Sequence, residues 1–212
     1  ETEKEAVHRL ADERLPFCVM DQRFDHPLLN IVAADHEQGS YDAVKHLIGK
    51  GYGRIGFLNG APQYSNSRDR LAGYRKALLE AGIAEDDTLV YEGNYSRTSG
   101  RRAAVQVYRD LDRLDAIFVG NDRMAIGLMQ GLRELGCSLP DDLKIVAYDD
   151  SDAASFTEPP LTTVRVPFYE MGRLAADRLL KQLADKEKSD ASAPLIREKL
   201  PAELVIRKSS GN

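Results

Sequence analysis

The chain has 212 residues, with 29 Lys and Arg against 34 Asp and Glu, a formal net charge of −5 and 42% hydrophobic residues. That size gives one large domain or two small lobes, and the composition excludes a disordered chain. No apolar run reaches the roughly 18 residues of a membrane span, Glu1–Glu5 is too charged for a secretory leader, and net negative charge without a dense Lys/Arg cluster excludes a general glove for DNA phosphates.

In chain order, Glu1–Arg14 reads as a helix with Val7, Leu10 and Ala11 on one side. Short apolar runs follow at Phe17–Met20, Ile31–Ala34, Ile55–Leu58, Leu89–Tyr91, Ala116–Val119, Ile145–Tyr148 and Leu204–Ile206. Continuous apolar runs of this kind are strands covered on both faces, as in a parallel sheet. Amphipathic stripes separate them: Tyr41, Val44, Leu47 and Ile48; Leu71, Tyr74 and Leu78; Ala125, Leu128, Met129, Leu132 and Leu135; Leu174, Leu179 and Leu183. These stripes read as core faces of helices. Alternation of the two patterns predicts an α/β fold with parallel sheets and right-handed crossovers. Asp185–Ala193 lacks apolar periodicity and reads as an exposed loop. The opening on a helix, where an α/β unit normally opens on a strand, suggests that strands precede Glu1.

Ligands of open α/β sheets sit outside the carboxyl ends of the strands. The residues expected there are Asp21, Asn59-Gly60, Gly93-Asn94-Tyr95, Asn121-Asp122 and Asp149-Asp150, with Arg68 and Arg70 entering a helix nearby. Carboxylates, amides and a guanidinium fork suit a ligand rich in hydroxyls, and Tyr95 and Phe168 offer flat faces to a sugar's C–H side. Each residue also has a plainer role. Asn121 is a helix N-cap with Asp122 in the first turn, Asp149 and Asp150 are candidate caps of a short helix, and Arg70 is a candidate partner of Asp69 or Glu80.

The patterns of nucleophile elbows, P-loops and zinc helices are missing from the sequence. His8, His26, His36 and His46 have no triad or metal spacing. Cys18 and Cys137 read as small apolar residues of a reducing compartment. No catalytic residue, metal or cofactor is therefore expected.

Five segments stand in a specific order: Asp35-His36-Glu37-Gln38-Gly39, Arg70-Leu71-Ala72-Gly73-Tyr74, Gly120–Gly127 (GNDRMAIG), Val146–Asp150 (VAYDD) and Pro159–Val164 (PPLTTV). In this order and spacing the chain resembles the lactose/galactose-repressor family over nearly its whole length. The resemblance implies the effector-binding core of a bacterial transcription regulator, similar to periplasmic sugar-binding proteins, with two Rossmann-like lobes around a cleft. It places residues 1–34 and 168–200 in an N-terminal lobe, 35–163 and 201–208 in a C-terminal lobe, and a crossover at 164–167. It also implies a DNA-binding helix-turn-helix upstream of Glu1.

Matched position by position, the family's ligand contacts fall on Asp21, Arg70, Tyr95, Asn121, Asp149 and Phe168, with Asn66, Arg68 and Ala34 at more variable places. Two positions depart from the pattern: His36 stands where Asn is frequent, and Val166 where Gln is usual. The implied partners are a sugar or polyol, operator DNA through the upstream segment, and a second copy of the chain in the cytoplasm. The dimer contact maps onto Met124, Ile126 and Phe156. The rival readings are a periplasmic sugar-binding protein for uptake or chemotaxis and a phosphoribosyltransferase, whose phosphate turn would need glycine where Ser151-Asp152-Ala153 stands.

Overall fold

A computed structural model describes residues 2–13, 15–187 and 195–211. The chain runs α1 (Glu3–Asp12), β1 (Val19–Met20), β2 (Ile31–Ala34), α2 (His36–Gly49), β3 (Ile55–Asn59), α3 (Ser65–Glu80), β4 (Val90–Glu92), α4 (Arg97–Arg109), β5 (Ala116–Val119), α5 (Asp122–Glu134), β6 (Lys144–Asp149), α6 (Asp152–Ser155), β7 (Thr162–Arg165), α7 (Phe168–Glu187), β8 (Arg197–Leu200) and β9 (Glu203–Val205). It divides into two compact units, Glu1–Asp35 with Pro167–Pro201, and His36–Val166 with Ala202–Asn212. The third change of unit completes a layout in which each unit is built from two separated stretches. Val164 and Arg165, expected in the crossover, are instead strand residues of the second unit. They belong to β7, which pairs with β6 on one side and β9 on the other.

The first unit holds the parallel sheet β1-β2-β8. Its start is fixed locally by a capping box. The Glu5 N–H donates to Thr2 Oγ1 and the Thr2 N–H donates back to Glu5 Oε2, satisfying two donors at the head of α1. Ala11, Val19, Leu29, Ile31 and Ala33 form its core, with Val7, Phe17 and Phe24 packed against them. Asn30 Oδ1 accepts from Arg178 Nε and from the Ile196 N–H, both at 3.0 Å, and so ties α7 to the approach to β8. That bond also corrects the stripe expected on α7. The buried row is Met171, Ala175 and Arg178, the last satisfied by Asn30, while Leu183 is 46% exposed. The loop expected at Asp185–Ala193 is helical through Glu187, and 188–193 lie outside the described residues.

The second unit holds a six-stranded sheet ordered β4-β3-β5-β6-β7-β9. Five strands are parallel, and β9 runs antiparallel to β7, so the sheet is mixed rather than purely parallel. Alternation along the strands sends Leu58, Ile117, Val119, Ile145 and Ala147 to one face, where they pack with Ala104, Val107, Leu128 and Leu132 of α4 and α5. The other face is aromatic. Phe118 stacks on Phe57 at 4.8 Å between centroids, Tyr74 of α3 lies 5.2 Å from Phe57, and Tyr148 meets Phe118 edge-on. The helix pairs α2·α3 and α4·α5 cover the two faces. α4 and α5 cross closely because Gly100 of α4 lies against the backbone of Met124 and Gly127 of α5 against that of Arg97, where a Cβ on either would overlap the carbonyl oxygen opposite.

Residues 207–211 close the far side of the sheet. Ser209 Oγ donates to the Ile145 carbonyl, Ser210 Oγ bonds His46 Nε2 at 2.9 Å, and Lys50 Nζ donates to the Gly211 carbonyl at 3.0 Å. The thiols of Cys18 and Cys137 are unbridged, and burial pushes both pKa values up. No helix among the described residues is long and apolar enough to cross a membrane.

Candidate functional site

The second sheet contains a topological switch point. From β3 the chain passes to β4 on one side and then to β5 on the other, so the crevice outside the carboxyl ends of β3 and β5 is where such sheets bind ligands. Gly60 leaves β3 there and Gly120 leaves β5, with a Cβ on Gly120 falling 3.3 Å from the Gly60 nitrogen. Around this crevice stand Tyr95 after β4, Asn121 after β5, Asp149 at the end of β6, and Asn66, Ser67 and Arg70 on the first turns of α3.

Arg70 is the centre of the cluster and is only 3% exposed. Its Nη1 donates to Tyr95 Oη at 2.9 Å, and Nη2 lies 3.7 Å from Asp149 Oδ1 and 3.4 Å from His36 Nδ1. The same His36 Nδ1 lies 3.3 Å from Tyr148 Oη, so the imidazole stands between the guanidinium and the phenol. The guanidinium carbon sits 4.3 Å from the centre of the Tyr148 ring, a cation–π arrangement. A buried cation is tolerated only when paired and hydrogen-bonded, and Arg70 meets that condition with a carboxylate, a hydroxyl, an imidazole and an aromatic face. Asp149 is the carboxylate beside its Nη2.

Three residues at this rim hold left-handed backbone without being glycine: Tyr95 at φ 65°, Asp149 at φ 105° and Asp150 at φ 56°. Such conformations cost of the order of 1–3 kcal/mol each and persist where surrounding contacts over-determine them. The turn at Asp149-Asp150 sends the two carboxylates in different directions. Asp149 faces Arg70. Asp150 instead accepts from Arg165 Nε at 2.8 Å and Arg207 Nη2 at 2.7 Å, which makes it a brace between β6, β7 and the C-terminal segment.

Asn121 keeps its capping role and adds a second. Its Oδ1 accepts from the Met124 N–H at 2.9 Å, while Nδ2 donates to the Tyr95 carbonyl at 3.2 Å. Asp122 does more than favour a helix start. Its Oδ1 accepts from Thr163 Oγ1, and its Oδ2 from the N–H and hydroxyl of Ser151, so it holds the loop that follows Asp149-Asp150. Burial pushes its pKa up, and these bonds oppose the rise.

The structure therefore brings Arg70, Tyr95, Asn121, Asp149 and Asn66 into one network. It does not bring Arg68, which is exposed and donates from Nη1 to the Pro62 and Gln63 carbonyls, holding the turn before α3. Asp21 and Phe168 belong to the first unit. Asp21 is left-handed at φ 58° and its Oδ1 accepts from the Ala34 N–H, while Phe168 stands half exposed at the head of α7. His36, Ser67 and Tyr148 were not on the expected list of contacts. By sequence alone His36 is a departure from the family pattern and Tyr148 a residue of a core strand.

Of the residues expected to face a second copy, Met124 is corrected. It is 0% exposed and its Sδ fills the space beside Gly93, so it belongs to the core of its own unit. Ile126 is half-buried, and Phe156 is 86% exposed at the end of α6. Among the described residues no group of three or more His, Cys, Asp or Glu is placed to hold a metal ion.

Comparison with known proteins agrees with this architecture. The family model of the periplasmic binding protein-like domain matches residues 44–210. The HTH-type transcriptional repressor PurR of Photobacterium profundum is 37% identical over 195 residues, 92% of this chain and 57% of that protein. The chain thus spans little more than half the length of this curated relative. A LacI family transcriptional regulator from Enterococcus faecium with bound ribose matches with a TM-score of 0.87 at 29% identity, over 98% of this chain and 75% of that one. A sugar-binding transcriptional regulator of the LacI family from Escherichia coli, complexed with phosphate, gives 0.83 at 30% identity over 98% and 73%. These relatives are transcriptional regulators rather than enzymes or transport proteins. With the repressor-like motifs in order and the switch-point cluster in place, the chain belongs to the LacI family of transcriptional regulators and carries their periplasmic binding protein-like effector-binding core.

Proposed function

We propose that this core senses a neutral small molecule rich in hydroxyls, a sugar or polyol, at the cluster of Arg70, Tyr95 and Asp149. The single observation that carries this reading is the buried Arg70 already matched by Asp149. The cation's charge is met within the protein, so an added anion would find a neutral pair rather than an open positive site. A hydroxyl group can still accept from the guanidinium fork and donate to the carboxylate. The ribose-bound relative supports a sugar. For Asp21 and Phe168 of the first unit, the family resemblance supports the same assignment as ligand contacts.

Ligand binding without turnover changes the affinity of a DNA-binding segment outside this chain for its operator in the cytoplasm. It does so only through its differential affinity for two states of the regulator, and the effect is reciprocal. Calorimetric titration of the wild-type chain tests the ligand class. Heat of binding with D-ribose or another neutral sugar, and none with inorganic phosphate, is the expected result. Binding of phosphate in preference to every sugar would replace the reading with an anion sensor.

The regulator works as a homodimer, and Phe156 with Ile126 marks the proposed face between copies. Phe156 is 86% exposed at the end of α6, and the family's subunit contact maps onto this position. In sedimentation runs the wild-type chain is expected at twice its monomer mass, with Phe156→Arg at the monomer mass. A wild-type monomer at all concentrations would remove this face from the proposal.

A further inference from the structure

The environment of Tyr95 is more constrained than a ligand-contacting aromatic requires. Its hydroxyl has three partners: Arg70 Nη1 at 2.9 Å, Asn66 Oδ1 at 3.2 Å and Ser67 Oγ at 2.5 Å. A phenol has one proton and two lone pairs. Arg70 only donates and the Asn66 carbonyl only accepts, so the phenol proton goes to Asn66 and the second lone pair takes the Ser67 hydroxyl. That saturates the oxygen. Tyr95 can therefore offer a ligand its ring but not its hydroxyl.

The ring itself rests on a glycine. A Cβ at Gly60 would overlap Tyr95 Cζ and both Cε atoms, so the hydroxyl-bearing end of the ring lies flat against the Gly60 backbone. Gly60 is pinned in turn. Its N–H donates to Asn59 Oδ1 at 2.8 Å, and Asn59 Nδ2 donates to the Ser67 carbonyl at 3.1 Å. The residue that bonds the hydroxyl is thus tied to the residue beneath the ring. At the other end Asn121 holds the Tyr95 carbonyl, and the left-handed backbone fixes the direction in which the side chain leaves.

We infer that Gly60 and Ser67 are positioning residues for ligand specificity: they lock Tyr95 as a rigid platform whose face away from Gly60 receives the flat C–H side of a sugar ring. The inference rests on the proposed sugar-binding role of the cluster. Gly60 sets the depth of the platform because any side chain there lifts the ring. Ser67 sets its tilt through the hydroxyl. A platform held at both ends loses little freedom when a ligand stacks on it, and preorganisation of this kind favours binding.

The test labels the nine tyrosines with 3-fluorotyrosine and assigns the Tyr95 fluorine resonance by its loss in Tyr95→Phe. In ligand-free protein, Gly60→Ala is expected to move that resonance to the position of a solvent-exposed tyrosine, and Ser67→Ala to move it part of the way. Gly49→Ala, where a Cβ meets nothing within 4 Å, is expected to leave it in place. Titrated with D-ribose, Gly60→Ala should bind roughly tenfold more weakly than wild type. Ser67→Ala adds no bulk and covers the case in which Gly60→Ala fails to fold. A Tyr95 resonance unmoved by both substitutions, or wild-type ribose affinity in Gly60→Ala, overturns the inference. If the wild-type chain itself binds no sugar, the proposed ligand class falls while the fluorine signal still decides the lock.

Discussion

Arg70→Ala is expected to abolish the binding heat and thermal stabilisation given by a sugar, a loss of at least roughly 100-fold in affinity, while leaving a cooperatively folded chain. The guanidinium gathers Tyr95, Asp149 and His36 at once. Its removal takes away the donor fork and the cation beside the Asp149 carboxylate. Breaking a fully buried pair costs about 3–5 kcal/mol, and the part-exposed side chain of Asp149 places the stability loss below that range. Arg70→Lys should restore little of the binding, because an ammonium keeps the charge but not the planar fork. Calorimetry and melting curves on both variants measure this. A sugar response of wild-type size in Arg70→Ala would remove Arg70 from the site.

Phe118→Ala is expected to give the larger loss of stability, about 3–5 kcal/mol, read as a lower urea midpoint. Phe118 is fully buried in the middle of β5, stacked on Phe57 and set edge-on to Tyr148. Truncation opens a cavity between the sheet and α2 and α3. It also removes support from the Tyr148 ring, on which the Arg70 guanidinium lies. Sugar affinity should therefore fall together with stability, although Phe118 touches no ligand group. A midpoint shift worth less than about 1 kcal/mol would mean that this aromatic layer repacks freely.

The parts of the fold that could be read from the sequence were those whose chemistry matches their position. Val, Ile and Phe runs marked β2, β3, β5 and β6 closely, since both faces of these strands are covered. β7 was hidden because Thr162 and Thr163 place hydroxyls in a buried strand. Thr162 Oγ1 is satisfied by the Arg207 carbonyl and Ser210, and Thr163 Oγ1 by Asp122. α4 was hidden because its buried face is Ala103, Ala104 and Val107, too small to produce a clear apolar stripe beside Arg97, Arg101 and Arg102. β8 is an edge strand of Arg, Glu and Lys, polar because solvent covers it.

The same contrast runs through the site. Arg70, Tyr95, Asn121 and Asp149 were legible as short polar or aromatic residues at strand exits and a helix entrance. The separation of Asp149 from Asp150 was not, because it depends on left-handed backbone at both residues and on two distant arginines. Neither were the roles of His36 and Tyr148, which act on Arg70 across more than 30 positions of sequence. Asn66 and Arg68 stand two residues apart on α3, yet one joins the Tyr95 hydroxyl and the other turns back to a loop.

A crystal structure of the chain grown with D-ribose locates the ligand directly. Density within hydrogen-bond reach of Arg70 and Asp149, with a sugar face on the Tyr95 ring, is the predicted result. Density elsewhere on the chain, with those three side chains untouched, would contradict it.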